Sequence, residues 1–307
     1  MNHSDSAALL TEQATPCTPS VWPAVFASLR PRQWIKNGFV LAAIVFSGKM
    51  WEPDAVWRSA LALVSFCGLS SSVYLINDWM DREWDRRHPR KRQRPIAAGI
   101  VGEATALRVS AVLATVSLAA SAVLGPAFVT VAGAYLLAML AYCYMLKRVV
   151  VLDVACVSLG FVLRAVAGAA AIGVWISEWL VLCTAAVSLF LGFAKRRHEL
   201  ELLGESAATH RPVLARYRVP WLDLLIVFST AGCLLSYGLY CVFSNSAAQH
   251  PAIILSLPFV VIGVGRYLWH VYRRNGGGSP DEIVLGDPWF AANGALWLVA
   301  VVGAIAY

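Results

Sequence analysis

Hydrophobic residues are grouped along the chain into nine long runs, separated by short segments that carry most of the polar and charged residues. Each run has roughly 20 residues, the length at which an α-helix crosses the hydrocarbon core of a bilayer. The pattern therefore predicts nine transmembrane helices. Their approximate bounds are 32–48, 57–80, 103–122, 126–146, 152–172, 176–195, 219–243, 251–272 and 289–307.

Positive charge alternates from one connection to the next. If the N-terminus is cytoplasmic, most of the 25 Lys and Arg residues fall on cytoplasmic connections, whereas the outer connections hold only Lys49 and Arg58. Cytoplasmic loops of membrane proteins carry such an excess of Lys and Arg. The charge pattern therefore supports nine crossings, with the N-terminus in the cytoplasm and the C-terminus outside.

Composition agrees with an integral membrane protein. The chain is 59% hydrophobic and 14% charged, with a mean hydropathy of +0.63, whereas soluble domains average about 25% charged residues. Because the cations border the spans, the net charge of +7 does not indicate nucleic-acid binding. The seven cysteines form no CxxC pair and are predicted to be reduced thiols. We expect a flexible tail over residues 1–22 and a single transmembrane domain over residues 23–307.

Acidic residues are concentrated at the end of the second predicted span. Asp78, Asp81 and Asp85 recur at i, i+3 and i+7, which places the three carboxylates on one helix face. Asn77 lies beside them, whereas Glu83 lies on another face. Like charges at this spacing repel, and a divalent cation would turn the repulsion into coordination, since Mg²⁺ prefers oxygen ligands. The motif therefore predicts a catalytic magnesium site, with a solvated helix end as the alternative.

Cations follow this acidic motif directly. Lys91 and Arg94 lie a few residues after Asp85. Dense cations are common where a protein meets the membrane surface. Beside carboxylates that hold a metal ion, they would also neutralise the oxygens of a diphosphate. The segment therefore predicts substrate binding, orientation of the protein in the membrane, or both.

A third group surrounds the connection between the fourth and fifth spans. Lys147 follows the fourth span, and Asp153 opens the fifth. In a functional interpretation Lys147 binds phosphate, Tyr142 donates a hydrogen bond, and Asp153 adds a metal or sugar ligand. The alternative is that Tyr142 and Lys147 only anchor a helix end at the interface.

Arg164 lies deep within the fifth span, between Gly160 and Gly168. An arginine at such a depth costs about 2.5–3.5 kcal/mol, so it should face the interior of the bundle and meet an anion. The small residues allow a neighbouring helix to approach closely. The alternative is an internal salt bridge without a catalytic role.

Two further cationic groups are less specific. Arg30, Arg32 and Lys36 precede or enter the first span, and Lys195 and Arg196 end the sixth. Cations at helix ends are ordinary in membrane proteins, but these side chains would also suit an anionic substrate or head group. The sequence contains no Walker A loop, no GxSxG and no HExxH.

The spacing Asn77-Asp78-x-x-Asp81-x-x-x-Asp85 resembles the NDxxDxxxD signature of the UbiA superfamily of intramembrane prenyltransferases. More narrowly, several segments resemble the branch of that superfamily formed by the decaprenyl-phosphate phosphoribosyltransferases. These segments are residues 30–37, 91–99, 161–168, 195–200 and 279–282, with Asp287. The similarity runs from about residue 28 to the C-terminus.

This resemblance implies a bundle of nine transmembrane helices around a cytoplasm-facing cavity, in the inner membrane of a bacterium. It implies Mg²⁺ as cofactor, phosphoribosyl diphosphate (PRPP) as donor and a polyprenyl phosphate such as decaprenyl phosphate as acceptor. The products would be pyrophosphate and a polyprenyl-phosphoryl-5-phosphoribose, which leads to an arabinose donor for envelope glycans. The oligomeric state is left open.

Two other functions compete with this interpretation. An aromatic polyprenyltransferase of the same superfamily would use a prenyl diphosphate as donor and a ring as acceptor. A transporter with an acidic ion site would more often place its polar groups near the bilayer midplane than at one membrane face. The clustering of charge at one face therefore favours an enzyme.

Overall fold

The computed structural model describes residues 21–89, 91–203, 212–273, 278, 283 and 286–306. These residues form helices and connections, and no strand is present among them. The predicted tail lies outside the described residues except for its last two, which begin a short helix. Residues 279–282, part of the resemblance, also lie outside them.

Eleven α-helices follow one another along the described residues. In chain order they are α1 Val21–Ser28, α2 Ala42–Phe46, α3 Pro53–Arg87, α4 Glu103–Ser121, α5 Pro126–Tyr144, α6 Leu152–Ile172, α7 Glu178–Leu203, α8 Val219–Phe243, α9 Asn245–Gln249, α10 Leu257–Arg273 and α11 Pro288–Ala306. The longer 3-10 helices are Pro31–Leu41, Pro212–Arg216 and Pro251–Ser256, and the shorter ones are Lys49–Trp51, Lys91–Gln93, Ala122–Leu124 and Leu146–Arg148.

Eight helical segments among the described residues are long and apolar enough to cross a membrane, and they coincide with the second to ninth predicted spans. The first predicted span is instead the 3-10 helix Pro31–Leu41 followed by α2, of 11 and 5 residues. A 3-10 helix rises about 2.0 Å per residue and an α-helix about 1.5 Å, so the two pieces together cover about 30 Å. That length matches the hydrocarbon core. The predicted all-helical membrane fold is therefore confirmed, with its first span in an unexpected conformation.

Helix α6 is central in the bundle, where it packs against the first span, α3, α5 and α7. Its small residues permit this. A Cβ built on Gly168 would lie 1.9 Å from the carbonyl oxygen of Val40, so only glycine allows the first span to approach so closely. A Cβ built on Gly192 of α7 would likewise lie 2.4 Å from Cγ1 of Val154 on α6. The close helix approach expected around Arg164 is thus present.

Consecutive spans alternate in direction, so the C-terminal ends of α3, α5 and α7 meet the N-terminal end of α6. Side-chain contacts confirm this, since Lys147 after α5 reaches Asp81 of α3, and Arg196 of α7 reaches Asp153 of α6. We call this end of the bundle the charged end. All the predicted site residues except Lys36 and Arg164, which lie further into the bundle, belong to elements that meet there.

Candidate active site at the charged end

The three carboxylates of the acidic motif lie on the last three turns of α3, as the spacing predicted. The side chains of Asp78 and Asp85 are only 4% and 5% exposed, and that of Asp81 is 29% exposed. The C-terminus of a helix carries partial negative charge, so acids there are stable only beside cations. Buried carboxylates need such partners even more.

Two arginines from other elements neutralise the buried pair. Arg30 Nη2 lies 2.5 Å from Asp78 Oδ1. Arg94 Nη1 lies 3.1 Å from the same oxygen and 2.6 Å from Asp85 Oδ2, so one guanidinium bridges both carboxylates. Arg94 was predicted as a substrate-binding residue, and the structure brings it directly onto the acidic face.

Lys147 pairs with the third carboxylate. Its Nζ lies 2.6 Å from Asp81 Oδ1 and 3.2 Å from the side-chain oxygen of Asn77. Lys147 comes from the 3-10 helix Leu146–Arg148, so this contact joins two distant segments. Glu83, which the spacing placed on another face, is exposed and pairs with Arg86. The structure therefore brings Asn77 and the three aspartates together and leaves Glu83 outside.

Arg30 belongs, with Arg32 and Lys36, to the cationic group that the sequence offers for an anionic head group. Its backbone has φ 55° and ψ 60°, a left-handed conformation that is uncommon for a residue other than glycine. Its guanidinium lies 5.1 Å from the centre of the Tyr74 ring as well as against Asp78. Strained backbone at a charged cluster is typical of functional sites. In contrast, Arg32 is exposed, and Lys36 donates a hydrogen bond to Gln33.

The donor set suits the predicted magnesium ion. Mg²⁺ takes oxygen ligands and is usually held by one or two carboxylates together with substrate phosphates. Asp78, Asp81 and Asp85 provide such oxygens on one helix face. Within the described ranges no group of three His, Cys, Asp or Glu is arranged to hold a metal, because each carboxylate is instead paired with a cation. The residues fit a metal that arrives with its own phosphate ligands.

Asp153 lies in a second network, and its own side chain is fully buried. Its Oδ2 accepts a hydrogen bond from Arg196 Nε at 2.7 Å, and its Oδ1 accepts one from the Tyr217 hydroxyl at 2.7 Å. Arg196 also contacts Glu199 at 2.6 Å. Both oxygens of Asp153 are therefore engaged by protein groups. The role of metal or sugar ligand stays a prediction for Asp153. The substrate-binding role stays a prediction for Arg196.

Tyr217 is a residue that sequence reasoning missed. It follows the 3-10 helix Pro212–Arg216, and its hydroxyl oxygen accepts a hydrogen bond from the Val151 backbone N–H at 2.8 Å. Burial, and next the hydrogen bond to Asp153, raise the pKa of Tyr217, so the phenol keeps its proton and remains a donor. A single tyrosine in a polar connection offers no sequence signal for this contact.

Arg164 is 5% exposed and faces the interior, as predicted. Its guanidinium donates to Asn37 Oδ1 at 2.8 Å, to the Gly160 carbonyl at 2.9 Å and to the Tyr135 hydroxyl at 2.8 Å. Among the described residues no carboxylate lies within salt-bridge distance of it, so the internal salt bridge is absent from this part of the chain. Its three hydrogen bonds go to neutral acceptors, and the described part of the chain gives its charge no carboxylate partner.

The remaining predicted residues lie around these two networks. Lys91 follows α3 and interacts electrostatically with Asp85. Tyr142, on the last turns of α5, is half-buried and lies within electrostatic range of Arg196. Lys195 is half-buried on α7, next to Arg196. The substrate-binding roles of these three side chains stay predictions.

Comparison with known proteins identifies the family. The decaprenyl-phosphate phosphoribosyltransferase of Corynebacterium glutamicum is 36% identical over 284 residues, which cover 91% of this chain and 85% of that protein. The enzyme of the same name from Mycobacterium tuberculosis is 36% identical over 92% of this chain and 94% of its own length. That from Mycolicibacterium smegmatis is 36% identical over 97% and 98%.

Solved structures agree on the fold. A UbiA homolog from Archaeoglobus fulgidus bound to GPP and Mg²⁺ superposes with a TM-score of 0.72 at 17% identity, over 92% of this chain and all of that one. A digeranylgeranylglyceryl phosphate synthase superposes with a TM-score of 0.65, also at 17% identity, over 94% and 99%. The sequence pattern of the UbiA prenyltransferase family matches residues 38–281. Since this match covers most of the chain, the protein belongs to the UbiA prenyltransferase family.

Proposed function

We propose that the protein transfers the 5-phosphoribosyl group of PRPP to a polyprenyl phosphate such as decaprenyl phosphate. The products are polyprenyl-phosphoryl-5-phosphoribose and pyrophosphate. The relatives that carry this activity in their names are 36% identical over nearly the full length of both chains, which supports the assignment. The single structural observation behind it is the set of three carboxylates on α3, each paired with a cation from another element.

The ion pairs explain how a diphosphate can enter. Three cations are paired with the carboxylates. These are Arg30, Arg94 and Lys147, whose side chains are 26%, 27% and 12% exposed. A diphosphate brings negative charge of its own, and these cations can pair with its oxygens as they release the carboxylates. The released carboxylates can then hold a divalent cation. Bound Mg²⁺ would neutralise charge on the diphosphate leaving group.

The transfer itself needs positioning and charge stabilisation more than proton transfer. The bond between ribose C1 and the diphosphate oxygen breaks, and C1 gains oxocarbenium character. A phosphate oxygen of the acceptor then bonds to C1. The acceptor phosphate is already anionic at neutral pH, so no strong general base is required. Arg30, Arg94 and Lys147 stabilise the negative charge that develops on the leaving pyrophosphate.

Arg164 supplies a further site for an anion. Its guanidinium is buried and has no carboxylate partner among the described residues, so it attracts negative charge that a ligand can provide. Asn37 and Tyr135 orient it from both sides. We assign it to the phosphate groups of the donor. The acceptor's isoprenoid tail lies in the bilayer beside the bundle, since only its phosphate needs to reach the charged end.

The excess of positive charge on alternate connections supports a cytoplasmic location for this end, in a bacterial inner membrane. PRPP, a water-soluble metabolite, would reach the site from the cytoplasm. A transporter would need polar groups along a transmembrane path, and the ion pairs of the site lie instead at one end of the bundle.

The decisive experiment offers labelled PRPP and polyprenyl phosphate to the purified protein and detects the lipid product by mass spectrometry. We expect a polyprenyl-phosphoryl-5-phosphoribose that depends on added Mg²⁺. A parallel reaction contains labelled prenyl diphosphate and an aromatic acid. Product in the second reaction alone would reassign the protein to aromatic prenyl transfer, and ion flux in proteoliposomes without either product would indicate a transporter.

A further inference from the structure

We propose that Tyr217 is a positioning residue, which holds the connection before α6 in the conformation that presents Lys147 to the acidic motif. The inference rests on the proposed function, since Lys147 is there a ligand of the diphosphate. It concerns a residue whose hydroxyl bonds to Asp153 and Val151 and not to the carboxylates of α3.

The Tyr217 hydroxyl makes two hydrogen bonds inside the protein. It donates to Asp153 Oδ1 at 2.7 Å and accepts from the Val151 N–H at 2.8 Å. Arg196 holds the other oxygen of Asp153 at 2.7 Å, so the carboxylate is fixed from two sides. Tyr217 is itself 6% exposed and belongs to the apolar cluster around Val154. The hydroxyl is therefore a rigid anchor for the Val151 backbone.

Val151 has a backbone conformation that needs such an anchor. Its φ is 68° and its ψ is −44°, in a region that a β-branched residue rarely adopts. Residues in such conformations persist only where the surrounding structure holds them. Among the described residues only Arg30 and Val151 combine a side chain with a positive φ. Arg30 itself pairs with Asp78 of the acidic motif, and Val151 lies four residues after Lys147, which pairs with Asp81.

The strained residue is connected to Lys147 by a short, hydrogen-bonded segment. Lys147 lies in the 3-10 helix Leu146–Arg148, and Val149 N–H donates to the Leu146 carbonyl at 3.1 Å. Asp153 N–H donates to the Val149 carbonyl at 3.0 Å, which ties the segment to the start of α6. If Val151 relaxed to a negative φ, the segment would change direction four residues after Lys147. The lysine Nζ would then no longer be held 2.6 Å from Asp81.

The test measures binding of pyrophosphate with Mg²⁺, by calorimetry on the detergent-purified protein, in a double-mutant cycle. The single variants are Tyr217→Phe and Lys147→Ala, and the third protein carries both changes. We expect Tyr217→Phe to weaken binding about tenfold, since it removes only the hydroxyl that offsets the strain. Because Tyr217 acts through Lys147, the double variant should bind no more weakly than Lys147→Ala alone.

A rescue variant distinguishes positioning from a general loss of stability. Glycine adopts a positive φ at no steric cost. Val151→Gly in the Tyr217→Phe background should therefore recover part of the lost affinity, even though it adds no contact. In transfer assays the Tyr217→Phe change should raise the KM for PRPP more than it lowers kcat. Wild-type affinity in Tyr217→Phe, losses that add fully in the double variant, or no recovery with Val151→Gly would overturn the proposal.

A measurement on the unaltered protein covers the case in which Tyr217→Phe does not stay folded. The Val151 amide should be protected from hydrogen exchange as strongly as the first turns of α6, and fast exchange there would also overturn the proposal. The binding cycle does not depend on the sugar of the donor. A failure of phosphoribosyl transfer by the wild-type protein would therefore refute the proposed function. The binding cycle would still test whether Tyr217 acts through Lys147.

Discussion

Arg30 and Asp78 lie against each other across the gap between the first span and the end of α3, with Nη2 2.5 Å from Oδ1. Together with Arg94 and Lys147, this contact gives each carboxylate of the acidic motif a cationic partner within the protein. The same cations are the groups we assign to the diphosphate. A metal ion therefore competes with these cations for the carboxylates, and a diphosphate competes with the carboxylates for the cations. Removal of one cation should change the affinities for the two ligands in opposite directions.

Replacing Arg30 with Ala should change the affinities for metal and diphosphate in opposite directions. The metal alone should bind more tightly, because Asp78 loses a competing cation. Pyrophosphate with Mg²⁺ should bind about tenfold more weakly, because a charge-assisted hydrogen bond to it is lost. Electron paramagnetic resonance of Mn²⁺ measures the first affinity, and calorimetry measures the second.

The matched control is Arg58→Ala, which removes an arginine of α3 that pairs with Asp54 near the other end of the helix. It should leave both affinities unchanged. If Arg30→Ala weakened the binding of metal and diphosphate alike, Arg30 would only support the structure of the site. The proposal that Arg30 leaves Asp78 to pair with the diphosphate would then be wrong.

Replacing Asp78 or Asp81 with Ala should lower the rate of phosphoribosyl transfer by at least about a hundredfold, since both carboxylates are assigned to the metal. The protein should still insert into the membrane, as measured by its yield and its elution as a single species in detergent. Glu83→Ala is the control, because Glu83 is an exposed acid of the same helix that pairs with Arg86. Full activity in Asp78→Ala would remove this residue from the metal site.

Chelation provides an independent test of the cofactor. EDTA should stop transfer, and Mg²⁺ added in excess should restore it, because the carboxylates of α3 are expected to act through a divalent cation. The assay follows the labelled lipid product over time in one sample. Transfer that continues at the same rate in EDTA would contradict the assigned role of Asp78, Asp81 and Asp85.

The membrane fold could be predicted because hydropathy acts locally. A run of about 20 apolar residues must form a spanning helix, whatever its neighbours are, since only internal hydrogen bonds satisfy its backbone in lipid. The first span differs because Pro31 follows a left-handed Arg30 and tertiary packing of Val40 against Gly168 draws the segment into the bundle. No pattern within residues 31–46 encodes that contact.

The site was predictable to the same local extent. The alignment of Asp78, Asp81 and Asp85 follows from helical periodicity alone, and the structure confirms that they share the acidic end of α3. Partners from distant segments do not follow from periodicity. Arg30 lies 48 residues before Asp78, and Tyr217 lies 64 residues after Asp153. Such pairs depend on how the bundle closes, which one sequence does not reveal.

Arg164→Leu should leave membrane insertion intact and raise the KM for PRPP about tenfold or more, since its buried guanidinium is assigned to the donor phosphates. A PRPP titration at saturating polyprenyl phosphate measures the change. Arg108→Leu is the control, because Arg108 is an exposed arginine of α4. If Arg164→Leu left KM unchanged and lowered only thermal stability, the arginine would serve packing with Asn37 and Tyr135 alone.

The last prediction concerns pH and the packing of α11. Asp287 lies before this helix, where its Oδ2 accepts hydrogen bonds from Arg266 at 2.8 Å and His270 at 2.6 Å. These two contacts, Arg266 first, hold the pKa of Asp287 well below its usual value near 4. A carboxylate with a lowered pKa stabilises the folded state above its unfolded pKa, and this stabilisation is lost as pH falls through the folded value.

The melting temperature of the wild type should therefore exceed that of Asp287→Asn at a pH well above the unfolded pKa of the carboxyl group, such as about pH 8. The difference should shrink below about pH 4, where Asp287 in the unfolded chain becomes protonated. Thermal unfolding in detergent across this pH range measures it, with Asp54→Asn, an exposed acid of α3, as the control. A difference that grew as the pH fell below about 4 would reverse the sign of the linkage and show that Asp287 does not clamp α10 to α11 as a carboxylate.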